Sequence, residues 1–333
     1  MKKFLNDPKD FVDEMLEGIY AAHPDVTYTN DDKRCYVTAH PKKGKVGIAT
    51  GGGSGHLPLF LGYVGDGMLD GCAVGGVFQS PSSDQMYEVT KYIDQGAGVL
   101  YIYGNYTGDI INFDMAAEMA DVDGIRVKSV VGNDDAASSV VGEEHKRRGV
   151  AGIFFVYKAA GAAAAEGLDL DEVTRLADKA RLNTRTIGVA LSSCVVPEIG
   201  HATFSLGEDA MEIGMGIHGE PGISRRKLEP ADAVVDEMME RIFKEQDYGK
   251  GGEVAVLVNG LGGTPREELY IFYRRVSQLF AARNVKVKHV WIGEFATAME
   301  MAGASISVLK LDDELDRLMA APARTPFFTH VGR

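Results

Sequence analysis

The segment Lys45-Val46-Gly47-Ile48-Ala49-Thr50-Gly51-Gly52-Gly53-Ser54-Gly55-His56 joins a short apolar run to a glycine-rich loop that ends in a histidine. The apolar run is typical of a buried strand. So many glycines are expected where the backbone turns sharply and comes close to a ligand, and a histidine can exchange a proton near neutral pH. The segment therefore predicts the floor of an active site at the end of a strand. A tight turn that holds His56 by a hydrogen bond is the alternative interpretation.

The glycine-rich loop is not typical of a nucleotide site. A P-loop continues with Lys and then Ser or Thr after its glycines, and these residues are absent here. The dinucleotide fingerprint Gly-x-Gly-x-x-Gly, counted from Gly51, has His56 in place of its third glycine. The loop is compatible with a small ligand held by backbone N–H groups. A free-standing nucleotide-dependent enzyme is therefore a poor interpretation of this chain.

The composition is that of a globular protein. The chain has 333 residues, of which 45% are hydrophobic and 25% charged, and its length fits two domains or one large one. No apolar window is long enough for a membrane span, and the first residues do not read as a secretion signal. The cysteines at 35, 72 and 194 are too widely spaced to indicate a disulfide framework or a zinc site, so a cytoplasmic location is expected.

The net charge of −13 argues against nucleic acid as a partner, because binding to phosphates depends on Lys and Arg. The largest basic clusters, residues 146–148 and 225–227, are interpreted as solvated surface. A small neutral substrate, or a protein partner with a basic patch, suits the acidic chain better.

Strand-like and helix-like segments alternate along the chain, which predicts an α/β fold. A domain boundary is predicted near Asn183, giving an N-terminal α/β domain over residues 1–183 and a C-terminal α/β domain over residues 184–333. The predicted strands are Val46–Ala49, Gly71–Val74, Gly98–Tyr103, Ile125–Val131, Val150–Tyr157, Thr186–Ala190, Glu212–Gly216, Glu253–Val258 and Val285–Ile292. The predicted helices are Phe113–Ala120, Ala159–Ala165, Leu170–Thr184, Pro230–Lys244 and Glu267–Ala282.

Two further loops carry candidate catalytic residues. Asp109 lies in Asn105-Tyr106-Thr107-Gly108-Asp109, directly after a predicted strand, where α/β sheets bind ligands. It would accept a hydroxyl proton there, or else cap the helix that follows. His218 lies in Gly216-Ile217-His218-Gly219-Glu220, with Glu220 close enough to orient its ring. A neutral imidazole in such a loop can attack a ketone carbonyl, whereas a surface histidine without a role is the alternative. The remaining histidines do not have metal-ligand spacing on one helix face.

These loops, in this order, resemble the dihydroxyacetone kinase family, and in particular its substrate-binding K subunit. The resemblance also includes Val-Asn-Gly-Leu-Gly-Gly-Thr-Pro at residues 258–265 and Leu-Lys-Leu-Asp-Asp-Glu-Leu at residues 309–315. It runs from about Asn6 to Phe328, nearly the whole chain. It implies a homodimer whose subunits have two α/β domains with mixed sheets flanked by helices.

The resemblance also implies residue roles. His218 would hold the carbonyl of a short ketose as a hemiaminal, which selects carbonyl compounds over polyols such as glycerol. His56 and Asp109 would form the acid/base pair that assists the ketose hydroxyl. The substrate-binding residues would be Gly52, Gly53, Ser54, Gly104, Asp109 and His218.

No cofactor or metal is expected on this chain. In the family the nucleotide lies on a separate helical L domain, and too short a segment follows Leu315 here to form one. The resemblance therefore implies a nucleotide-binding L subunit as partner, which carries ATP, or a tightly held ADP recharged by a phosphotransferase relay, together with Mg²⁺.

This chain departs from the family pattern at three positions. A carboxylate and a later histidine that typical members carry are replaced by Leu57 and Phe60, and a substrate-holding lysine is replaced by Gly104. We therefore expect a less polar pocket with more room at Gly104, and the substrate is either dihydroxyacetone or a four-carbon ketose such as erythrulose. A ketose-sensing paralogue without turnover, which regulates transcription through a protein partner, is the alternative function.

Overall fold

The computed structural model describes residues 2–332 and contains two six-stranded mixed sheets flanked by helices. The helices are α1 Phe11–Ala22, α2 Ser83–Ile93, α3 Thr107–Val122, α4 Ile153–Ala165, α5 Leu170–Leu182, α6 Ala231–Glu245, α7 Arg266–Ala282 and α8 Asp313–Ala320. The strands are β1 Val26–Tyr28, β2 Cys35–Thr38, β3 Gly47–Ser54, β4 Gly71–Val77, β5 Val99–Gly104, β6 Val127–Gly132, β7 Thr184–Ala190, β8 Ala210–Ile213, β9 Ser224–Lys227, β10 Glu253–Gly260, β11 Lys286–Gly293, β12 Gly303–Lys310, β13 Ala323–Arg324 and β14 Thr329–His330.

The first sheet has the strand order β1-β2-β4-β3-β5-β6. Strands β4, β3, β5 and β6 are parallel to one another. Strand β2 is antiparallel to β4, and β1 is antiparallel to β2. Strands β3 and β5 are buried along their whole length, as expected for parallel strands that are covered on both faces. Because β3 and β5 are parallel neighbours, the loops after their carboxyl ends lie at one edge of the sheet.

The second sheet has the order β11-β10-β12-β7-β8-β9, in which β10 and β11 are parallel and the other pairs antiparallel. Amphipathic helices α6 and α7 cover it with apolar side chains such as Val235, Met238 and Phe280. The predicted α/β class with two mixed sheets is thus confirmed. The first sheet ends before residue 183 and the second begins at Thr184.

The prediction of a strand over Val150–Tyr157 is wrong, because helix α4 begins at Ile153. Every residue of α4 from Ile153 to Ala164 is buried. A helix that is covered on all sides has no polar face, so its sequence lacks the helical period and looks like a buried strand.

The C-terminal helix α8 packs back onto α4 rather than onto the second sheet alone. The buried Lys158 of α4 donates hydrogen bonds from Nζ to the carbonyl oxygens of Leu318 and Ala321, at 2.9 and 2.6 Å. These carbonyls lie at the end of α8, where helix oxygens lack partners within the helix. Burial lowers the pKa of Lys158 to about 8.

The helices and the His, Cys, Asp and Glu side chains of residues 2–332 bear on binding to membranes and metals. No helix in this range is long and apolar enough to cross a membrane. Within the same range, no group of three or more His, Cys, Asp and Glu side chains is placed to hold a metal ion.

Candidate active site at the edge of the first sheet

The glycine-rich segment is the end of strand β3 rather than the sharp turn predicted from its composition. Its glycines are required by close packing. A Cβ on Gly52 would lie 2.4 Å from the ring of Phe60, and one on Gly53 would lie 2.7 Å from the backbone nitrogen of Gln79. Only after this strand does the chain turn, at Gly55, which has a φ of +96°.

His56 follows that turn and is held as one tautomer. Its Nδ1 lies 2.6 Å from the carbonyl oxygen of Thr297. A carbonyl only accepts, so Nδ1 carries the proton and Nε2 carries a lone pair. His56 Nε2 is buried and has no hydrogen-bond partner. Burial lowers the pKa of His56 to about 3, helped by the neighbouring His218 and opposed by the Thr297 bond. At neutral pH His56 therefore presents an uncharged acceptor.

The segment that holds His56 is fixed by Asn259 at the end of β10. The Asn259 Oδ1 accepts hydrogen bonds from the backbone nitrogens of Phe295 and Ala296, at 2.8 and 2.9 Å. Its Nδ2 donates to the Ala296 carbonyl at 2.8 Å. Asn259, in the motif at residues 258–265, thus fixes the segment next to Thr297, whose carbonyl holds His56. In this way a residue of the second sheet helps to position a side chain of the first sheet's site.

Asp109 lies in the first turn of α3, which begins at Thr107 after an N-cap at Tyr106 that makes no side-chain cap bond. The alternative that Asp109 caps this helix is therefore wrong. Its carboxylate accepts a hydrogen bond from the Ser80 hydroxyl, and its Oδ1 is buried without a partner. Burial raises the pKa of Asp109 to about 6, against the opposing effects of Ser80 and His218.

His218 lies on the loop between β8 and β9, and this loop reaches the edge of the first sheet. Its ring packs edge to face against His56 and Tyr106, with 4.8 Å between centroids in both pairs, and against Phe78 at 5.4 Å. Phe78 also stacks on His56 at 4.8 Å. Two of the predicted catalytic residues, His56 and His218, are thus in contact although they come from loops of different sheets. The third, Asp109, is near enough for His218 to affect its pKa.

Glu220 orients the His218 ring as expected. Its Oε1 lies 3.0 Å from His218 Nδ1, and its Oε2 accepts the backbone N–H of His218 at 2.9 Å. Burial alone would raise the pKa of Glu220, but the hydrogen bond and charge of His218, with help from Arg148, lower it to about 2. The carboxylate is ionised and accepts from Nδ1–H, so in the neutral form of His218 the lone pair is on Nε2.

The expected extra room at Gly104 is not present. A Cβ on Gly104 would lie 2.9 Å from the ring of Tyr106, whose hydroxyl donates to the Gly149 carbonyl at 3.0 Å. This ring fills the space that a side chain at 104 would need. Phe60 similarly fills the space behind β3, where only a cavity of about 10 Å³ remains beside Leu57. The less polar pocket expected from Leu57 and Phe60 agrees with this packing.

Ser54 is less available than the sequence indicates. Its buried hydroxyl donates to the Gly75 carbonyl at 2.8 Å, so towards a substrate it can only accept. The residues that the sequence did not single out are Phe78, Tyr106 and Thr297, which position the two histidines. Phe78 has a φ of +59°, a conformation that is uncommon for a bulky residue and that the sequence therefore does not indicate.

Comparison with known proteins identifies a family and several relatives that this chain resembles. Residues 17–327 match the Dak1 domain family model. The chain is 49% identical over 330 residues to the PTS-dependent dihydroxyacetone kinase 2, dihydroxyacetone-binding subunit DhaK, of Listeria innocua, covering 98% of this chain and 99% of that one. It is 41% identical over 329 residues to the D-erythrulose kinase of Mycolicibacterium smegmatis, covering 98% of this chain and 56% of that one.

Solved structures agree with these relatives. The dihydroxyacetone kinase of C. freundii superposes with a TM-score of 0.91 at 31% identity, over 99% of this chain and 60% of that one. The dihydroxyacetone kinase operon co-activator DhaQ superposes with a TM-score of 0.88 at 31% identity, over 96% and 98% of the two chains. The chain therefore belongs to the Dak1 domain family and is a DhaK-like member of it.

Proposed function

We propose that this chain is the substrate-binding subunit of a short-ketose kinase and holds its substrate as a hemiaminal on His218. The observation that carries the proposal is the meeting of three groups. His56 Nε2 and Asp109 Oδ1 are both buried without partners, the first in contact with the ring of His218 and the second near enough for His218 to affect its pKa. Buried acceptors without partners are costly, so a bound molecule with hydroxyl groups fits this place.

Capture begins with the lone pair on His218 Nε2. It forms a bond to the ketose carbonyl carbon, the C=O π pair moves to the oxygen, and that oxygen takes up a proton from solvent. The ring becomes positively charged, and the Glu220 carboxylate stabilises it through Nδ1–H. A polyol such as glycerol has no carbonyl and cannot form this bond.

The captured ketose presents a hydroxyl to Asp109 and His56. Asp109, with a pKa of about 6, is the better base at neutral pH, and takes the proton as the hydroxyl oxygen attacks the phosphoryl group. His56, with a pKa of about 3, accepts a hydrogen bond from a substrate hydroxyl and orients it. Holding the ketose by a covalent bond supplies the orientation that this transfer requires.

The phosphoryl donor belongs to a partner subunit. The arginine beside the site, Arg148, is already paired with Asp135 at 2.7 Å and is not free for a triphosphate. The relatives named PTS-dependent dihydroxyacetone-binding subunits support a separate nucleotide-bearing L subunit as that partner. Such a subunit would bring ATP, or a recharged ADP, with Mg²⁺, and that group would supply charge neutralisation at the phosphates.

Dihydroxyacetone is the proposed substrate, and erythrulose is the second candidate. The 49% identity to a dihydroxyacetone-binding subunit exceeds the 41% identity to an erythrulose kinase. The Tyr106 ring also occupies the space at Gly104 that a fourth carbon would enter.

Calorimetric titration of the chain with dihydroxyacetone, D- and L-erythrulose and glycerol tests this proposal. We expect dihydroxyacetone to bind most tightly and glycerol not to bind. Equal binding of glycerol and the ketoses would contradict carbonyl capture, and tighter binding of an erythrulose would change the substrate.

The likeness to the co-activator DhaQ, over 98% of that chain, favours a ketose sensor as the alternative function. Phosphoryl transfer distinguishes the two. We expect ketose phosphate to form when the chain is mixed with ATP, Mg²⁺ and a nucleotide-bearing L subunit, or with an L subunit recharged by phosphoenolpyruvate and the phosphotransferase proteins. Tight ketose binding without product from either donor would support the sensor.

A further inference from the structure

Arg148 connects the two sheets behind His218. Its Nε donates to Asp135 Oδ2 at 2.9 Å, and its Nη2 donates to the Gly214 carbonyl at 2.9 Å. Its Nη1 lies 3.9 Å from Glu220 Oε2. Asp135 and Arg148 follow β6 of the first sheet, whereas Gly214 and Glu220 belong to the β8–β9 loop of the second.

Arg148 is itself held from several directions. Its side chain is only 14% exposed, and that of Asp135 is 3% exposed. The Asp135 Oδ1 accepts the backbone N–H of Ala137 at 3.0 Å, and the Ser138 hydroxyl accepts the backbone N–H of Arg148 at 3.0 Å. A guanidinium fixed by a buried carboxylate presents its remaining N–H groups in a set direction.

The Glu220 carboxylate passes closely over Gly216. A Cβ on Gly216 would lie 2.1 Å from Glu220 Oε2 and 2.6 Å from Arg148 Nη1. Glycine at this position therefore leaves room for the carboxylate and the guanidinium to approach each other. The backbone conformation of Gly216 does not itself require glycine, because its φ is not in the left-handed region.

We propose that Arg148 is the positioning residue for capture on His218, acting through Glu220 across the two sheets. It fixes the loop by the Gly214 carbonyl and keeps the Glu220 carboxylate directed at His218 Nδ1. The lone pair on Nε2 then faces the substrate at all times. The expected effect of Arg148 on ketose binding rests on the proposed function. Its expected effect on the His218 tautomer is independent of that function.

The first test compares Arg148→Gln with a matched control, Arg175→Gln. Arg175 is an exposed arginine of α5 that pairs with Glu172 and Glu314. We expect Arg148→Gln to weaken dihydroxyacetone binding about tenfold or more, because a hydrogen bond from a charged group, here from the guanidinium to the Gly214 carbonyl, is worth about that much. We expect Arg175→Gln to bind as the unmodified chain does.

Nitrogen-15 NMR of labelled histidine in the free protein gives a readout that a general loss of stability would not produce. We expect His218 to carry its proton on Nδ1 in the unmodified chain and in Arg175→Gln, and to populate both tautomers in Arg148→Gln. An unchanged tautomer in Arg148→Gln would overturn the inference, whether or not the chain binds a ketose. Absence of ketose binding in the unmodified chain would instead overturn the proposed function.

Two more variants keep the test valid if Arg148→Gln folds poorly. Gly216→Ala removes no charge and displaces the Glu220 carboxylate, so it should reproduce the tautomer change and the weaker binding. Arg148→Lys retains the positive charge and should recover part of the affinity. Native tautomer and affinity in Gly216→Ala, with the carboxylate displaced, would contradict a role exerted through Glu220.

Discussion

The imidazole rings of His56 and His218 lie edge to face, with 4.8 Å between their centroids and 79° between their planes. The first follows β3 of one sheet, and the second lies on the β8–β9 loop of the other. Each has its Nδ1 proton directed at an oxygen, of Thr297 and Glu220 respectively, so in the neutral form of each ring the lone pair is on Nε2. The site therefore contains two imidazole rings with different roles, one exposed enough to attack a carbonyl and one fully buried.

Replacing Asp109 by Asn should stabilise the protein while it abolishes turnover. Burial raises the pKa of Asp109 from 3.8 to about 6. The folded state therefore binds more protons than the unfolded state between these pH values, so stability falls as the pH rises through this window and stays lower above it. At about 1.4 kcal/mol per pH unit, the shift from 3.8 to about 6 means that the charged side chain costs on the order of 3 kcal/mol at neutral pH. Urea unfolding at pH 7 measures this gain, and a loss of stability in Asp109→Asn would contradict it.

The pH dependence of phosphoryl transfer should follow Asp109 on its acid side. With a pKa of about 6, the carboxylate is protonated as the pH falls through that value and no longer accepts the hydroxyl proton. We expect kcat/KM for the ketose to fall about tenfold per pH unit below this point, because this ratio reports the groups of the protein without substrate. His56, with a pKa of about 3, should add no step near neutral pH. The check is kcat/KM for the ketose across the pH range with a saturating partner subunit, and a flat acid limb would exclude Asp109 as the base.

A methyl group at Gly104 should weaken ketose binding. The added Cβ would lie 2.9 Å from the Tyr106 ring and push it from its contact with His218. We expect Gly104→Ala to raise the dissociation constant for dihydroxyacetone. Gly18→Ala is the control, because a Cβ on Gly18 in helix α1 meets nothing within 4 Å, and alanine favours a helix by up to about 1 kcal/mol. Equal affinities in the two variants would show that Tyr106 does not shape the pocket.

Loss of the Asn259 side chain should destabilise the fold and disturb His56. Asn259→Ala leaves the part-buried backbone nitrogen of Phe295 and the buried one of Ala296 without partners. The cost is about 1–3 kcal/mol for each buried group left unsatisfied. Asn6→Ala is a matched control, since Asn6 makes exposed bonds to Glu14. Chemical denaturation of both variants measures the difference, which should be large for Asn259→Ala and near zero for Asn6→Ala.

The sequence predicts those parts of the fold in which local pattern and environment agree. Strand β5 is a short continuous apolar run and helix α5 has a helical apolar period, and both lie close to their predicted positions. Helix α4 was misassigned in part because it is buried on every side and so lacks a period. The nearness of His56 and His218 depends on contacts between sheets, which no local pattern encodes, and it followed only from the family resemblance.

Local sequence patterns also do not predict which side chains pack around the site. Tyr106 occupies the space at Gly104 because its hydroxyl reaches the Gly149 carbonyl, a contact between distant segments. The same holds for Thr297, which selects the His56 tautomer from a loop of the second sheet. Composition could indicate that these loops carry chemistry, but not which side chains fill the space between them.

Carbon-13 NMR of dihydroxyacetone labelled at its carbonyl carbon, bound to the chain, tests covalent capture most directly. We predict that the bound label gives a signal of a tetrahedral carbon attached to nitrogen, and that His218→Ala removes this signal while His201→Ala, which changes an exposed histidine, keeps it. A bound ketose that retains its carbonyl signal in the unmodified chain would contradict hemiaminal formation on His218.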